Sequence, residues 1–273
     1  MPAAAPPVAL TIAGSDCSAG AGAQADLKTF TALGVYGLTA LTCVVSETPG
    51  RVQRIQAVDP EVVADQIRLL LDSFPVAAIK TGMLYSAEIA SVVAQALADA
   101  KVPIVIDPVM VATSGDLLLK QEAIAVYERD LFPLAAVITP NMDEAATLLG
   151  RKIDGVDAMR TAAEELRSRY RVPVLLKGGH LRGAQAIDLL FQDGEPLEFT
   201  APFVDGVDTH GTGCTYAAAI AARLAAGEAL DAAVATAKKF VTAAIAQHFA
   251  WPNGAAEIHA LNHSAPLTLS GRR

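Results

Sequence analysis

The chain has 273 residues, of which 52% are hydrophobic and 18% are charged. This balance allows a substantial buried core and argues against intrinsic disorder. The net charge is -8 and no run of Lys or Arg stands out, which argues against binding of a nucleic-acid backbone. No uninterrupted apolar stretch is long enough to span a bilayer, and three cysteines at scattered spacings fit neither a disulfide framework nor a zinc site. We therefore expect a cytoplasmic protein with no nucleic-acid or membrane partner.

Short apolar runs alternate with longer helical patterns along the chain, which predicts an α/β fold with a doubly wound, mostly parallel sheet and helices on both faces. The predicted strands cover residues 8–12, 38–45, 76–80, 103–106, 136–138 and 173–177. The predicted helices between them cover residues 24–33, 60–71, 87–99, 142–149 and 157–170. An antiparallel hairpin (186–191 and 197–203) and two Ala-rich helices (215–226 and 230–248) follow. We expect a single domain over residues 1–273, with residues 1–7 and 251–273 as loose, loop-like termini.

The ends of the predicted strands carry small and polar residues. Ligands of doubly wound sheets bind beyond the carboxyl ends of the strands, so these segments are candidates for the functional site. They are Gly14-Ser15-Asp16, Thr81-Gly82-Met83, Asp107-Pro108-Val109, Thr139-Pro140-Asn141 and Lys177-Gly178-Gly179. We expect these segments to form one rim.

The segment Gly20-Ala21-Gly22-Ala23-Gln24-Ala25 follows the first strand and matches the GxGxxG/A pattern of dinucleotide-binding turns. A dinucleotide site also needs an acidic residue at the end of the second strand, and residues 38–45 end without one. Binding of NAD or FAD is therefore an alternative that a cofactor titration would test. The other interpretation is that small residues let a ligand approach the backbone closely. No GxxxxGK[ST] sequence is present, which excludes a P-loop.

A second glycine-rich segment, Gly211-Thr212-Gly213-Cys214-Thr215, precedes an apolar helix. Small residues at a helix N-terminus leave several N–H groups unpaired, which predicts an anion hole; the alternative is an ordinary glycine-rich turn. At this position the helix dipole favours the thiolate form of Cys214, and the alternative is a buried, inert cysteine. His180 and His210 border these loops. Without the spacing of a hydrolase triad, we interpret them as polar loop residues.

Charged and polar residues at the rim are candidates for binding a metal ion and phosphates. Asn141 and Glu144 have the spacing of a helix capping box. The functional interpretation is that both also face the rim and help to hold a hydrated Mg²⁺ ion, which prefers oxygen ligands. Asp107 is a candidate ligand for the same ion, since no capping role is evident for it. Lys177 is interpreted as a cation placed near a phosphate, and the alternative is a surface lysine before a flexible turn.

Five segments carry a family likeness: Ala9-Leu10-Thr11-Ile12-Ala13-Gly14-Ser15-Asp16, Gln24-Ala25-Asp26-Leu27-Lys28, Lys80-Thr81-Gly82-Met83, Asp107-Pro108-Val109-Met110 and Thr209-His210-Gly211-Thr212-Gly213-Cys214-Thr215. Together they resemble the ribokinase superfamily, and within it the hydroxymethylpyrimidine and phosphomethylpyrimidine kinases. The resemblance extends from about residue 8 to about residue 248. It implies a ribokinase-like fold.

The resemblance implies transfer of the γ-phosphoryl group of ATP to a primary hydroxymethyl group. Cys214 stands where most sugar kinases of the superfamily have an aspartate base, and would accept the hydroxyl proton. The N–H groups of Gly211, Thr212 and Gly213 would stabilise charge on the transferring group. Lys177 and Mg²⁺ would neutralise the phosphates, with Asp107 and Glu144 holding the magnesium shell. The implied ATP-binding residues are Lys177, Gly178, Asn141, Thr209 and Asp188.

The resemblance also implies a substrate site for a small heteroaromatic alcohol, formed by Gly14, Asp16, Ala21, Val44, Met83 and Val109. Val44 departs from the family, because pyrimidine kinases usually have a glutamine there that pairs with the aminopyrimidine edge. Cysteine-type pyridoxal kinases have an aliphatic residue at this position, whereas residues 111–116 resemble the lid of the pyrimidine kinases. We therefore expect hydroxymethylpyrimidine and its monophosphate as substrates, with pyridoxal or pyridoxine as the alternative and a non-catalytic small-molecule binder as a more distant one. The family further implies a homodimer and a monovalent cation.

Overall fold

A computed structural model of the chain describes residues 4–110, 121–179, 185–207, 210–254 and 256–265. Within these residues, nine strands form one sheet in the spatial order β3-β2-β1-β4-β5-β6-β7-β8-β9. The strands are β1 (Val8–Asp16), β2 (Tyr36–Thr48), β3 (Arg51–Ala57), β4 (Val76–Thr81), β5 (Ile104–Ile106), β6 (Val137–Ile138), β7 (Val174–Lys177), β8 (Gln185–Phe191) and β9 (Leu197–Pro202). The chain changes direction across the sheet between β1 and β4, which makes this the switch point of a doubly wound fold.

The six strands from β2 to β7 in this order run parallel, and β3, β8 and β9 pair antiparallel at the two edges. The predicted parallel core and the predicted β8–β9 hairpin are therefore confirmed. Strand β3 was not predicted. None of its seven residues is buried, so it lacks the apolar alternation that identifies a half-buried strand.

Helices cover both faces of the sheet, as predicted. They are α1 (Gly22–Ala32), α2 (Pro60–Ser73), α3 (Ala87–Leu97), α4 (Gln121–Val126), α5 (Met142–Leu149), α6 (Gly155–Tyr170), α7 (Thr212–Ala225) and α8 (Leu230–Ala246). Helices α2, α3, α5 and α6 pack on one face, while α1, α7 and α8 pack on the other. Six of the fourteen residues of α7 are buried alanines, whose small side chains let this helix lie close to both the sheet and α8. No helix in the described part of the chain is long and apolar enough to cross a membrane.

The C-terminal segment is more ordered than the sequence predicts. Strands β10 (Phe249–Asn253) and β11 (Ala256–Ala260) form an antiparallel pair. Beyond them His263 is buried and lies 3.0 Å from the Thr215 hydroxyl, and burial lowers the pKa of His263 to about 4. The expectation of a loose, loop-like tail is therefore wrong for the described residues after 250. It failed because every residue of β10 is exposed, which leaves no buried pattern to recognise; residues 266–273 lie outside the described residues.

We expect a Gly178→Ala substitution to destabilise the fold. A Cβ at Gly178 would lie 2.3 Å from the carbonyl oxygen of Ile187 and 2.9 Å from the side chain of Met159, and such overpacking costs about 1–3 kcal/mol of unfolding free energy. Gly179→Ala is the matched control, because its Cβ would meet nothing within 4 Å. Urea denaturation of both variants measures the difference. Equal midpoints for the two would contradict this packing argument.

Candidate active site

The carboxyl ends of the parallel strands surround a cavity of about 800 Å³, where ligands of doubly wound sheets bind. The residues of the predicted site that line it are Gly14, Asp16, Ala21, Met83, Asp107, Val109, Asn141, Glu144, Lys177, Asp188, Gly211, Thr212, Gly213 and Cys214. Thr209 and the lid segment 111–116 lie outside the described residues, so their roles stay predictions. The fold thus brings strand ends that are distant in sequence to one place, which is the rim that the sequence predicts.

The N-terminus of α7 faces this cavity. Its N-cap, Gly211, has a φ of +83°, and a Cβ there would lie 1.8 Å from the carbonyl oxygen of Gly20. Only glycine can hold this conformation at such close approach. The Thr212 hydroxyl is buried without a hydrogen-bond partner among the described residues, and the first N–H groups of a helix have no partner within the helix. This arrangement suits an anion, as the glycine-rich segment predicts.

Lys177 and Asp107 form a mostly buried ion pair at the ends of β7 and β5. Lys177 Nζ donates to Asp107 Oδ1 at 2.7 Å, and the Thr139 hydroxyl donates to the same oxygen at 3.0 Å. Burial alone would lower the pKa of Lys177, but the negative charges of Asp107 and Glu144 raise it above its ordinary value. The side chain of Lys177 is 11% exposed, so the alternative of a surface lysine is wrong. Its ammonium group lies 3.3 Å from the position of a Cβ on Gly213, beside the start of α7.

Asp107 and Glu144 place two carboxylates on one side of the cavity. The capping box is confirmed: Asn141 N donates to Glu144 Oε2 at 2.8 Å, and Glu144 N donates to Asn141 Oδ1 at 2.9 Å. Burial raises the pKa of Glu144 to about 8, and a cation beside it would favour its ionised form. Asp107 Oδ2 points toward Gly213, 3.7 Å from the position of a Cβ there. Carboxylate oxygens are the ligands that Mg²⁺ prefers, so these residues fit a hydrated magnesium ion.

Cys214 lies in the first turn of α7 and lines the cavity. Its Sγ accepts a hydrogen bond from the backbone N–H of Gly22 at the start of α1. Burial raises the pKa of the thiol to about 11, although Lys80 and the Gly22 N–H act in the opposite direction. Burial thus opposes the thiolate form that the start of the helix would favour. The expectation that Cys214 gains thiolate character stays a prediction.

Asp16 organises the turn between β1 and α1. Its carboxylate accepts hydrogen bonds from the backbone N–H groups of Ser18 at 2.7 Å, Gly20 at 3.1 Å and Ala21 at 2.8 Å. His210 Nε2 lies 3.2 Å from Asp16 Oδ2. Burial alone would raise the pKa of Asp16, but hydrogen bonds from His210, Ser18 and Ala21 lower it to about 2. His210 is therefore more than the polar loop residue expected from the sequence, in which nothing marks a partner 194 residues away.

Val44 is the predicted substrate residue that does not line the cavity. Val44 is 47% exposed, whereas Val45 is buried and lines the cavity. The register between β1 and β2 shifts just before Ser15, which pairs with Val44, and successive side chains of a strand point to opposite faces. Val44 therefore does not line the cavity in this structure, and its contact with the substrate stays a prediction. Val45 occupies the position from which a β2 side chain reaches the cavity.

Gly178 and Asp188 hold together the edge of the sheet near the cavity. Gly178 N donates to Asp188 Oδ1 at 3.0 Å, and Lys238 Nζ donates to Asp188 Oδ2 at 2.6 Å. Gly179, rather than Gly178, lines the cavity. The N–H group of Gly178 is used within the sheet, and its predicted contact with ATP stays a prediction. Asp188 reaches the cavity with a carboxylate that already neutralises Lys238.

The glycines of the dinucleotide-like segment have packing roles. Gly22 has a φ of +59°, and a Cβ there would lie 2.4 Å from the carbonyl oxygen of Gly14. The carbonyl of Gly20 is the group that Gly211 approaches. Close contact between backbone segments accounts for these glycines. The close approach of a ligand to this backbone stays a prediction.

A doubly wound sheet, an anion hole at a helix N-terminus and a lysine–carboxylate pair in one cavity define a ribokinase-like small-molecule kinase. Such an enzyme needs few covalent steps, since phosphoryl transfer depends mainly on positioning and charge stabilisation. Residues 16–259 match the family described as phosphomethylpyrimidine kinase. The chain belongs to this family, and it is a kinase that phosphorylates a hydroxymethyl alcohol.

Relatives and solved structures agree with this assignment. The chain is 45% identical over 244 residues to the hydroxymethylpyrimidine/phosphomethylpyrimidine kinase of Streptomyces coelicolor, covering 89% of this chain and 90% of that protein. It is 45% identical over 237 residues to the thiamine biosynthesis bifunctional protein ThiED of Geobacter sulfurreducens, covering 86% of this chain and 48% of that protein. The chain therefore spans about half the length of the bifunctional relative. An ADP complex of Bacillus subtilis pyridoxal kinase matches with a TM-score of 0.87 and 38% identity, covering 96% of this chain and 98% of that one.

We expect iodoacetamide to alkylate Cys214 slowly at neutral pH and about tenfold faster for each unit of pH between about pH 7 and about pH 10. The thiolate is the reacting form, and a thiol pKa of about 11 leaves its fraction rising throughout this range. Mass spectrometry of the peptide that contains Cys214 measures the rate. A rate that levels off below about pH 9 would show that the thiol ionises more easily than its burial indicates.

Proposed function

We propose that this chain uses ATP to phosphorylate the hydroxymethyl group of 4-amino-5-hydroxymethyl-2-methylpyrimidine, and then the phosphate of the resulting monophosphate, in thiamine biosynthesis. The observation that carries this proposal is the meeting of Cys214, the N-terminus of α7 and the Lys177–Asp107 pair in one cavity. The names of the curated relatives that match most of this chain support the choice of substrate.

The geometry supports a division of roles within the cavity. The N–H groups at the start of α7, from Gly211 to Gly213, would face the transferring phosphoryl group. Lys177 lies beside them and would neutralise the phosphates of ATP, while Asp107 and Glu144 would hold Mg²⁺. When bound, the ion supplies positive charge that stabilises the phosphate oxygens. Cys214, in its thiolate form, would accept the proton of the substrate hydroxyl as the new O–P bond forms.

Phosphorylation of pyridoxal or pyridoxine is the second candidate function. The structural similarity to a pyridoxal kinase favours it, and so does the aliphatic residue Val45 at the cavity wall. An aliphatic side chain offers neither donor nor acceptor to an aminopyrimidine. Both candidates share the same phosphoryl-transfer groups, so only substrate tests separate them.

We expect ATP-dependent ADP release with hydroxymethylpyrimidine and with its monophosphate, measured beside pyridoxal and pyridoxine. Cys214→Ala should lower turnover by about hundredfold or more, since general-base catalysis contributes about that much. Cys17→Ala is the thiol control, because Cys17 is exposed and does not line the cavity.

Each result of this assay decides between the candidates. Turnover with pyridoxal or pyridoxine but not with the two pyrimidines would overturn the pyrimidine assignment and support the second candidate. Absence of turnover on all four alcohols, together with ligand binding that Cys214→Ala leaves intact by calorimetry, would instead indicate a non-catalytic binder.

We expect Val45→Ala to raise KM for the alcohol by about threefold to thirtyfold, because it removes buried apolar contact at the cavity wall. Val44→Ala is the matched control on the same strand and should change KM by less than about twofold, since that side chain is half exposed and outside the cavity. Steady-state kinetics at saturating ATP measures both. A larger effect at Val44 than at Val45 would restore Val44 as the residue that determines specificity.

We further propose that the protein forms a homodimer and that a monovalent cation activates it, as the family resemblance implies.

A further inference from the structure

Lys80 and Asp26 form an ion pair that is completely buried beneath the active site. Lys80 Nζ donates to both carboxylate oxygens of Asp26, at 2.8 and 3.1 Å, and both side chains are 0% exposed. The Thr11 hydroxyl donates to Asp26 Oδ2 at 2.5 Å. Burial of charged groups is unfavourable even when they are paired. The roles proposed for the cavity residues use neither of these two side chains.

Helix α1 connects this pair to the proposed base. Asp26 follows Gly22 by four residues on α1, so both lie on the same face of that helix. The N–H group of Gly22 donates to Cys214 Sγ. Lys80 is near the end of β4, and its Nζ lies 2.7 Å from the position that a Cβ on Gly82 would occupy. The next residue, Met83, lines the cavity. Helices α1 and α7 and strand β4 thus bring the ion pair and the thiol together.

We propose that Lys80 is a positioning residue of the phosphoryl transfer: its buried ammonium stabilises the thiolate form of Cys214, and Asp26 holds that ammonium in place. The direction of the electrostatic effects agrees with this role. Lys80 is the first of the groups that lower the pKa of Cys214, and Asp26 opposes it more weakly. Burial alone would lower the pKa of Lys80, but the negative charge of Asp26 raises it above its ordinary value. Lys80 therefore keeps its positive charge in a site that water does not reach.

The proton balance shows why such a cation matters. For Cys214 to accept the hydroxyl proton, it must first be a thiolate. The proton then moves from the substrate oxygen to Sγ as the O–P bond forms, while the bond between the γ-phosphorus and its bridging oxygen breaks and ADP leaves with the electron pair. Lys80 takes no part in these transfers. It raises the fraction of Cys214 that is ionised beforehand.

The test measures the rate of Cys214 alkylation by iodoacetamide in the unliganded protein, resolved by peptide mass spectrometry. In Lys80→Met/Asp26→Asn, which leaves no unpaired buried charge, we expect the rate at about pH 8 to fall about threefold or more, equivalent to a rise of about half a unit in the thiol pKa. Lys80→Met alone should give the same direction. Lys80→Arg keeps the charge and should stay within about twofold of the parent rate, even if its greater bulk lowers the unfolding midpoint in urea. The rate at exposed Cys17 in the same samples controls for reagent and pH.

The outcomes separate an electrostatic role from a packing role. An unchanged Cys214 rate in Lys80→Met/Asp26→Asn would overturn the inference, and so would an equal fall in all three variants. For its catalytic meaning the proposal rests on the kinase function. In the variants without the Lys80 charge, kcat should then fall in parallel with the alkylation rate, while KM for ATP should change by less than about twofold. The alkylation rate needs no turnover. A failure of the proposed function is therefore distinguishable from a failure of this inference.

Discussion

The contact between Gly211 and the carbonyl oxygen of Gly20 joins the two halves of the active site. A Cβ at Gly211 would lie 1.8 Å from that oxygen. The loop before α7 can therefore approach the turn before α1 this closely only because residue 211 is a glycine. The same turn is held by the carboxylate of Asp16, which also contacts His210. Because of this contact, the segments predicted to bind the alcohol and the phosphoryl group have fixed positions relative to each other. Such positioning is what a phosphoryl transfer chiefly requires.

Around this contact, buried carboxylates are paired with lysines. Asp107 pairs with Lys177, Asp26 with Lys80 and Asp188 with Lys238. Each pair removes most of the unfavourable energy that an isolated buried charge would have. Their environments differ, however. The Lys177–Asp107 pair lines the cavity and is open to ligands, whereas the Lys80–Asp26 pair has no exposed surface and acts only through the electric field that it creates at neighbouring groups.

Much of the fold and part of the site could be predicted from the sequence. The parallel strands are apolar runs between helical patterns, and the rim follows from where those runs end. Strand β3 and the hairpin of β10 and β11 were missed because exposed strands leave no buried pattern. The sequence did not show that Val45 rather than Val44 lines the cavity, because one extra residue in β2 relative to β1 shifts the register just before Val44 and changes which side chains of β2 face the cavity. The role of Lys80 could not be inferred from the sequence either, since its burial and its partner 54 residues away exist only in the folded chain.

The raised pKa of Cys214 constrains how the reaction proceeds. A thiol with a pKa of about 11 is ionised in only about one molecule in ten thousand at pH 7. The transition state of phosphoryl transfer is loose, and the attacking oxygen needs little negative charge before it is reached. The base is therefore required late, to remove a proton whose acidity grows as the O–P bond forms. Stabilisation of charge by the α7 N-terminus and Lys177 acts earlier and on the larger charge, so the reaction depends more on these groups than on the thiol.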